Sequence, residues 1–106
     1  MNKTILTAAC LILAASASAY AGDPAAGQRK SKTCVACHGP DGNSPAPEFP
    51  KIAGQHEDYI IKALKDYKSG ARKNPIMAPM AAPLSVRDIE DLAAYYSSQK
   101  GLVMKY

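Results

Sequence analysis

Cys34-Val35-Ala36-Cys37-His38 places two thiols and an imidazole within five positions, and no other stretch limits so strictly what the chain can become. The third cysteine, Cys10, lies inside an apolar run from Ile5 to Ala19 that follows Asn2 and Lys3 and ends in the small residues Ala19-Tyr20-Ala21. That beginning reads as a secretory signal peptide over 1–21, cleaved after Ala21. Its apolar run is about 15 residues, shorter than the roughly 20 needed to span a membrane. Cys10 lies within the run rather than after it, a poor position for lipid attachment. The segment 22–106 is then one exported domain in which Cys34 and Cys37 are the only cysteines. A chain this short buries too little apolar surface to hold itself together and needs disulfides, a metal or a cofactor.

Four chemistries use a Cys-x-x-Cys pair, and the histidine that follows separates them. A thioredoxin-like redox pair belongs in a βαβ setting, and no strand pattern occurs here. A zinc site needs four ligands, yet the only other histidine is His56, with no cysteine near it. A Cys34–Cys37 disulfide closes too small a loop to stabilise much and leaves His38 without a role. Covalent attachment of a c-type haem uses all three residues. Each thiol adds across a vinyl group, His38 is held beneath the iron, and the macrocycle supplies the apolar surface that the chain lacks.

The rest of the sequence reads as helices joined by long loops. Asp23-Pro24 is an N-cap followed by proline at the first helical position, opening a short helix that runs into Cys34; Gly27 weakens it. Residues 39–50 hold four of the eight prolines and two glycines, which is loop composition. A second helix is predicted from Glu57 to Ser69, with Tyr59, Ile60, Ala63, Leu64 and Tyr67 on one face and Gly70 ending it. Residues 74–83 carry three more prolines with Met77 and Met80 and are expected to be extended or irregular. Ser85 and Asp88 form a capping pair for a last helix with Ile89, Leu92, Ala93 and Tyr96 at helical spacing. The expectation is an all-α domain of three to four short helices and loops wrapped around one haem.

Six-coordinate haem iron takes a second axial ligand, for which Met77, Met80, Met104 and His56 have suitable donor atoms. Chain position favours the methionine loop, since Met77 and Met80 lie between the second and last helices while Met104 is close to the terminus. His56 opens a helix, where an exposed histidine is the ordinary occupant. Without Lys3, the chain from Gly22 onward keeps 12 of the 13 Lys and Arg and all 9 Asp and Glu, a formal charge of +3. That mild excess is no nucleic-acid stripe and suits weak docking to an acidic protein. Lys62, Lys65, Lys68, Arg72 and Lys73 are the candidates for a basic rim near an exposed haem edge.

With CVACHG, "NSPAPEFPKIAGQH", the paired methionines and "LSVRDIEDLAAYYSSQKG", the segment from Gly22 to Gly101 resembles a class I c-type cytochrome. It is most similar to one half of the dihaem bacterial cytochromes of the c-four subclass and to small monohaem relatives, and differs from the dihaem form in having a single CxxCH. The resemblance implies Cys34 and Cys37 as thioether attachments, His38 as proximal iron ligand and Met77 as distal ligand, with Met80 its packing neighbour and runner-up. It also implies a proline carbonyl that holds the ring N–H of His38; Pro47 and Pro50 both fit, with Pro47 preferred. Tyr59, Tyr67, Arg72 and Lys73 become candidate partners of the propionates or the methionine sulfur. The implied function is a monomeric periplasmic carrier of one electron between respiratory redox proteins, without a small-molecule substrate and not an enzyme. The alternatives are a haem enzyme or gas sensor with a displaceable methionine, and an electron-transfer subunit of a larger oxidoreductase.

Overall fold

The computed structural model describes residues 22–103, so the signal peptide expected over 1–21 and Met104 lie outside the described residues. Five helices and no strands make up that span: α1 Pro24–Lys30, α2 Lys32–His38, α3 Glu57–Ser69, α4 Met77–Ala81 and α5 Val86–Ser97. None is long and apolar enough to cross a membrane.

The all-α expectation holds, and two additions raise the count to five. First, the opening helix breaks at Ser31, whose hydroxyl donates to the Gln28 carbonyl at 2.7 Å. A serine that competes for a backbone carbonyl in this way bends or interrupts a helix, and the thiol pair consequently sits on a helix of its own, α2. Second, the methionine segment contains a helical turn where an extended or irregular path was expected. Asn74 Oδ1 accepts from the backbone N–H groups of Ile76 and Met77, both at 2.9 Å. Pro79 falls in the first turn of α4, where its missing N–H disrupts no intrahelical bond.

Helix α5 is the centre of the molecule. Its capping box is complete, with Asp88 N–H donating to Ser85 Oγ at 3.0 Å and Ser85 N–H to Asp88 Oδ2 at 2.9 Å. Ile89, Leu92, Ala93 and Tyr96 are all nearly fully buried, each large aliphatic side chain contributing about 1.5–3 kcal/mol. One side of α5 packs against α1 and another against α3, which in turn carries α4.

The α1–α5 crossing is close because Gly27 has no side chain. A Cβ there would lie 2.0 Å from the Asp91 carbonyl oxygen. The glycine that weakens α1 locally is what lets the two backbones approach. Asp91 fastens the same crossing: its buried carboxylate accepts from Asp23 N–H at 2.8 Å and Lys30 Nζ at 2.7 Å, with Arg87 Nε at 3.2 Å.

The proline-rich stretch after α2 forms no regular element, as its composition predicts. Tyr95 Oη donates to the Pro40 carbonyl at 2.6 Å, and Ile52 and Ala53 N–H groups donate to the Gly42 carbonyl. These bonds bring residues 50–55 back beside α2.

Candidate functional site

Helix α2 sets Cys34 and Cys37 one turn apart, so both lie on one helix face. The helix ends at Gly39, whose φ of 80° is open to glycine and strained for other residues; the chain leaves His38 there and turns away. Both thiols are free and half-buried. Burial pushes the Cys34 thiol pKa up, with the polar side chains of Thr33 and Tyr96 nearby opposing it. Among the described residues, Cys34, Cys37 and His38 do not converge into a group able to hold a single metal ion.

His38 is buried and its Nδ1 lies 2.8 Å from the Pro50 carbonyl oxygen. A carbonyl only accepts, so the proton resides on Nδ1 and Nε2 keeps its lone pair for a metal. The supporting carbonyl is therefore that of Pro50 and not of Pro47, the preferred sequence candidate. The bonds from Ile52 and Ala53 to Gly42 fold the end of the loop back onto α2, and proline spacing carries no record of that return.

Cys34 and His38 line a cavity of about 240 Å³ whose opposite contributors come from α3, α4 and α5. Ile60, Ala63, Leu64 and Leu92 make apolar walls, and Met77 reaches the cavity from the first position of α4. The α3 face predicted from periodicity is thus the cavity-lining face, Tyr59 and Tyr67 included. Of the other ligand candidates, Met80 is 45% exposed and does not line the cavity. His56 is the exposed N-cap residue of α3 and does not line it either.

Exposed residues that line the cavity mark its solvent side: Pro50, Lys51, Tyr59 and Arg72. Arg72 Nη1 donates to Tyr59 Oη at 3.2 Å, and its guanidinium lies 4.8 Å from the Tyr67 ring centroid, within cation–π range. Lys51 and Gln55 belong to this side of the site and were not among the sequence candidates, because they owe their place to the returning loop. Lys73 does not line the cavity. Tyr96 lines it too; its helical spacing marked it as core and said nothing of its hydroxyl.

The five-residue basic rim is not continuous. Lys62 pairs with Asp66 at 2.7 Å, and with Lys65 it borders a separate open groove of about 610 Å³ shared with Glu57, Asp58 and Glu90. Lys68 Nζ donates to the Ala82 and Leu84 carbonyls, tying α3 to the turn after α4. Of the five, Arg72 alone stands at the cavity, joined there by Lys51.

The donor set fits a covalently held haem: two thiols a turn apart, an imidazole with its outer nitrogen engaged, a thioether from another segment, apolar walls and cations toward solvent. Comparison with known proteins gives the same answer. The family model described as cytochrome c matches residues 24–100. The chain is 51% identical to cytochrome c4 of Stutzerimonas stutzeri over 97% of its own length and 53% of that protein's. It is 52% identical to cytochrome c-554(548) of Halomonas halodenitrificans, covering 76% of this chain and all of that one. The fold superposes on the crystal structure of reduced recombinant cytochrome c4 from Pseudomonas stutzeri with a TM-score of 0.73 at 55% identity, over 78% of this chain and 48% of that one. This chain spans about half the length of the cytochrome c4 proteins it matches. The chain belongs to the cytochrome c family, and its cofactor is one covalently attached haem c.

Proposed function

We propose that this protein is a one-electron carrier in which Cys34 and Cys37 hold the haem, with His38 Nε2 and Met77 Sδ as axial ligands. The observation that carries the reading is that His38, already oriented by Pro50 at 2.8 Å, lines the same cavity as Cys34 and Met77. Haem iron supplies reversible exchange of a single electron between its ferrous and ferric states. Cys34 and Cys37 would hold the haem by adding their S–H bonds across its vinyl groups, which would need no oxidant or reductant.

The chain's residues set the rest. The Pro50 carbonyl fixes the His38 tautomer and raises the basicity of Nε2. A thioether from Met77 would favour the reduced state and, together with His38, would leave the iron no open site for oxygen or peroxide. That supports a carrier over an enzyme or gas sensor. Ile60, Leu64 and Leu92 keep water from the centre, while Lys51 and Arg72 supply positive charge for the propionates on the solvent side. The leader over 1–21 supports a periplasmic location. Partners are redox proteins that dock weakly on the positive side of the site, and the protein works as a monomer.

Production in a host with haem-attachment machinery tests the reading. The expected protein keeps its colour and added mass after denaturation and acid–acetone extraction, and shows reversible low-spin spectra. Extraction of the pigment, or a high-spin spectrum at rest, contradicts it.

A further inference from the structure

Tyr96 is 2% exposed and packs edge-on against Tyr95 with ring centroids 5.0 Å apart. Its hydroxyl is the one fully buried side-chain polar atom among the described residues that lacks a hydrogen-bond partner. Leaving such a group dry and unpaired is destabilising, a cost that phenylalanine would not incur. Tyr95, the preceding residue, shows the ordinary solution, with its hydroxyl on the Pro40 carbonyl.

Cys34 packs against the core cluster that contains Tyr96 and lines the same cavity, and Cys34 and Ser31 both lie near the Tyr96 hydroxyl. Ser31 Oγ donates its proton to the Gln28 carbonyl and makes no hydrogen bond with the Tyr96 hydroxyl. The Cys34 thiol is a weak donor and a weak acceptor, but once its sulfur carries two carbons it has no proton and can only accept. Covalent attachment therefore turns an ambiguous pair into a donor facing an acceptor.

We propose that Tyr96 is a positioning residue for the haem: its hydroxyl donates to the thioether sulfur of Cys34. The bond ties that linkage to α5 and draws electron density from the sulfur, which favours the reduced iron and raises the midpoint potential. This rests on attachment through Cys34 as proposed above.

The test compares haem-loaded wild-type protein with Tyr96→Phe and Ser31→Ala, after acid–acetone extraction has verified covalent haem in each. Wild-type protein without covalent haem would defeat the functional reading itself, independently of Tyr96. Given attached haem, Tyr96→Phe is expected to lower the midpoint potential while keeping the low-spin spectrum, and Ser31→Ala to leave the potential in place. In reduced wild-type protein the slowly exchanging Tyr96 hydroxyl proton is expected to show a nuclear Overhauser contact to the Cys34 β-protons. An unchanged potential in Tyr96→Phe, an equal shift in Ser31→Ala, or absence of that contact each overturns the proposal. The wild-type measurement decides even where a variant fails to accumulate.

Discussion

Gly27 and Asp91 meet where α1 crosses α5, so closely that a Cβ on Gly27 would sit 2.0 Å from the Asp91 carbonyl oxygen. That Cβ would meet the Asp91 carbonyl oxygen and carbon and the Tyr95 Cβ, none of which can swing aside. Gly27→Ala gains roughly 1 kcal/mol of helix propensity and forces the helices apart, for which overpacking costs of about 1–3 kcal/mol are usual. The expected outcome is net destabilisation, read as a lower guanidinium midpoint of the haem-loaded protein. An unchanged or higher midpoint would mean that propensity governs this position.

Asp91 makes the same crossing sensitive to acid. Burial works to raise its pKa, but Asp23 N–H, Lys30 and Arg87 outweigh it and hold the carboxyl below the usual carboxylate range. A folded pKa below the unfolded one contributes stability that is fully present above the unfolded value and is lost as pH falls through the folded value. Stability should therefore decline below about pH 4, and Asp91→Asn should lower stability at neutral pH while flattening that acid limb. Denaturant titrations between neutral pH and about pH 3 check this; parallel curves for both proteins would remove Asp91 from the account.

Much of this was legible because the signals were local. Ser85 and Asp88 marked the start of α5, and the apolar spacing from Tyr59 to Tyr67 gave α3 and the face that lines the cavity. Cys34, Cys37 and His38 were readable because their chemistry requires adjacency in the chain. What escaped depends on contacts between distant segments. Pro50 rather than Pro47 supports His38 because of a loop that returns on bonds to Gly42. The short α4 follows a turn in which Asn74 Oδ1 accepts from Ile76 and Met77 N–H, in a stretch whose prolines suggested an irregular path. The basic rim dissolved because Lys62 and Lys68 found partners of their own.

The positive charge that remains at the cavity belongs to Lys51 and Arg72. Reduction by an acidic redox partner should slow as salt rises, since exposed charges are screened over about 10 Å at ordinary ionic strength. Stopped-flow rates should show a shallower salt dependence in Lys51→Gln and Arg72→Gln, and an unchanged one in Lys62→Gln. A wild-type rate indifferent to salt would remove electrostatic docking and leave electron transfer intact.

Met77 and Met80 occupy the same short helix and are expected to behave differently. Met77→Ala should abolish the weak far-red absorption of a thioether bound to ferric haem and lower the potential. Met80→Leu should keep that band and change stability by under about 1.5 kcal/mol, because a similar volume replaces a side chain that is 45% exposed. Loss of the band in Met80→Leu and its retention in Met77→Ala would reverse the assignment.

Carbon monoxide binding to the reduced protein reads directly whether the protein itself fills both axial positions. The expected result is no rapid binding by the wild-type protein and ready binding by Met77→Ala. Rapid binding by the wild-type protein would mean an open iron and would contradict a carrier held by His38 and Met77.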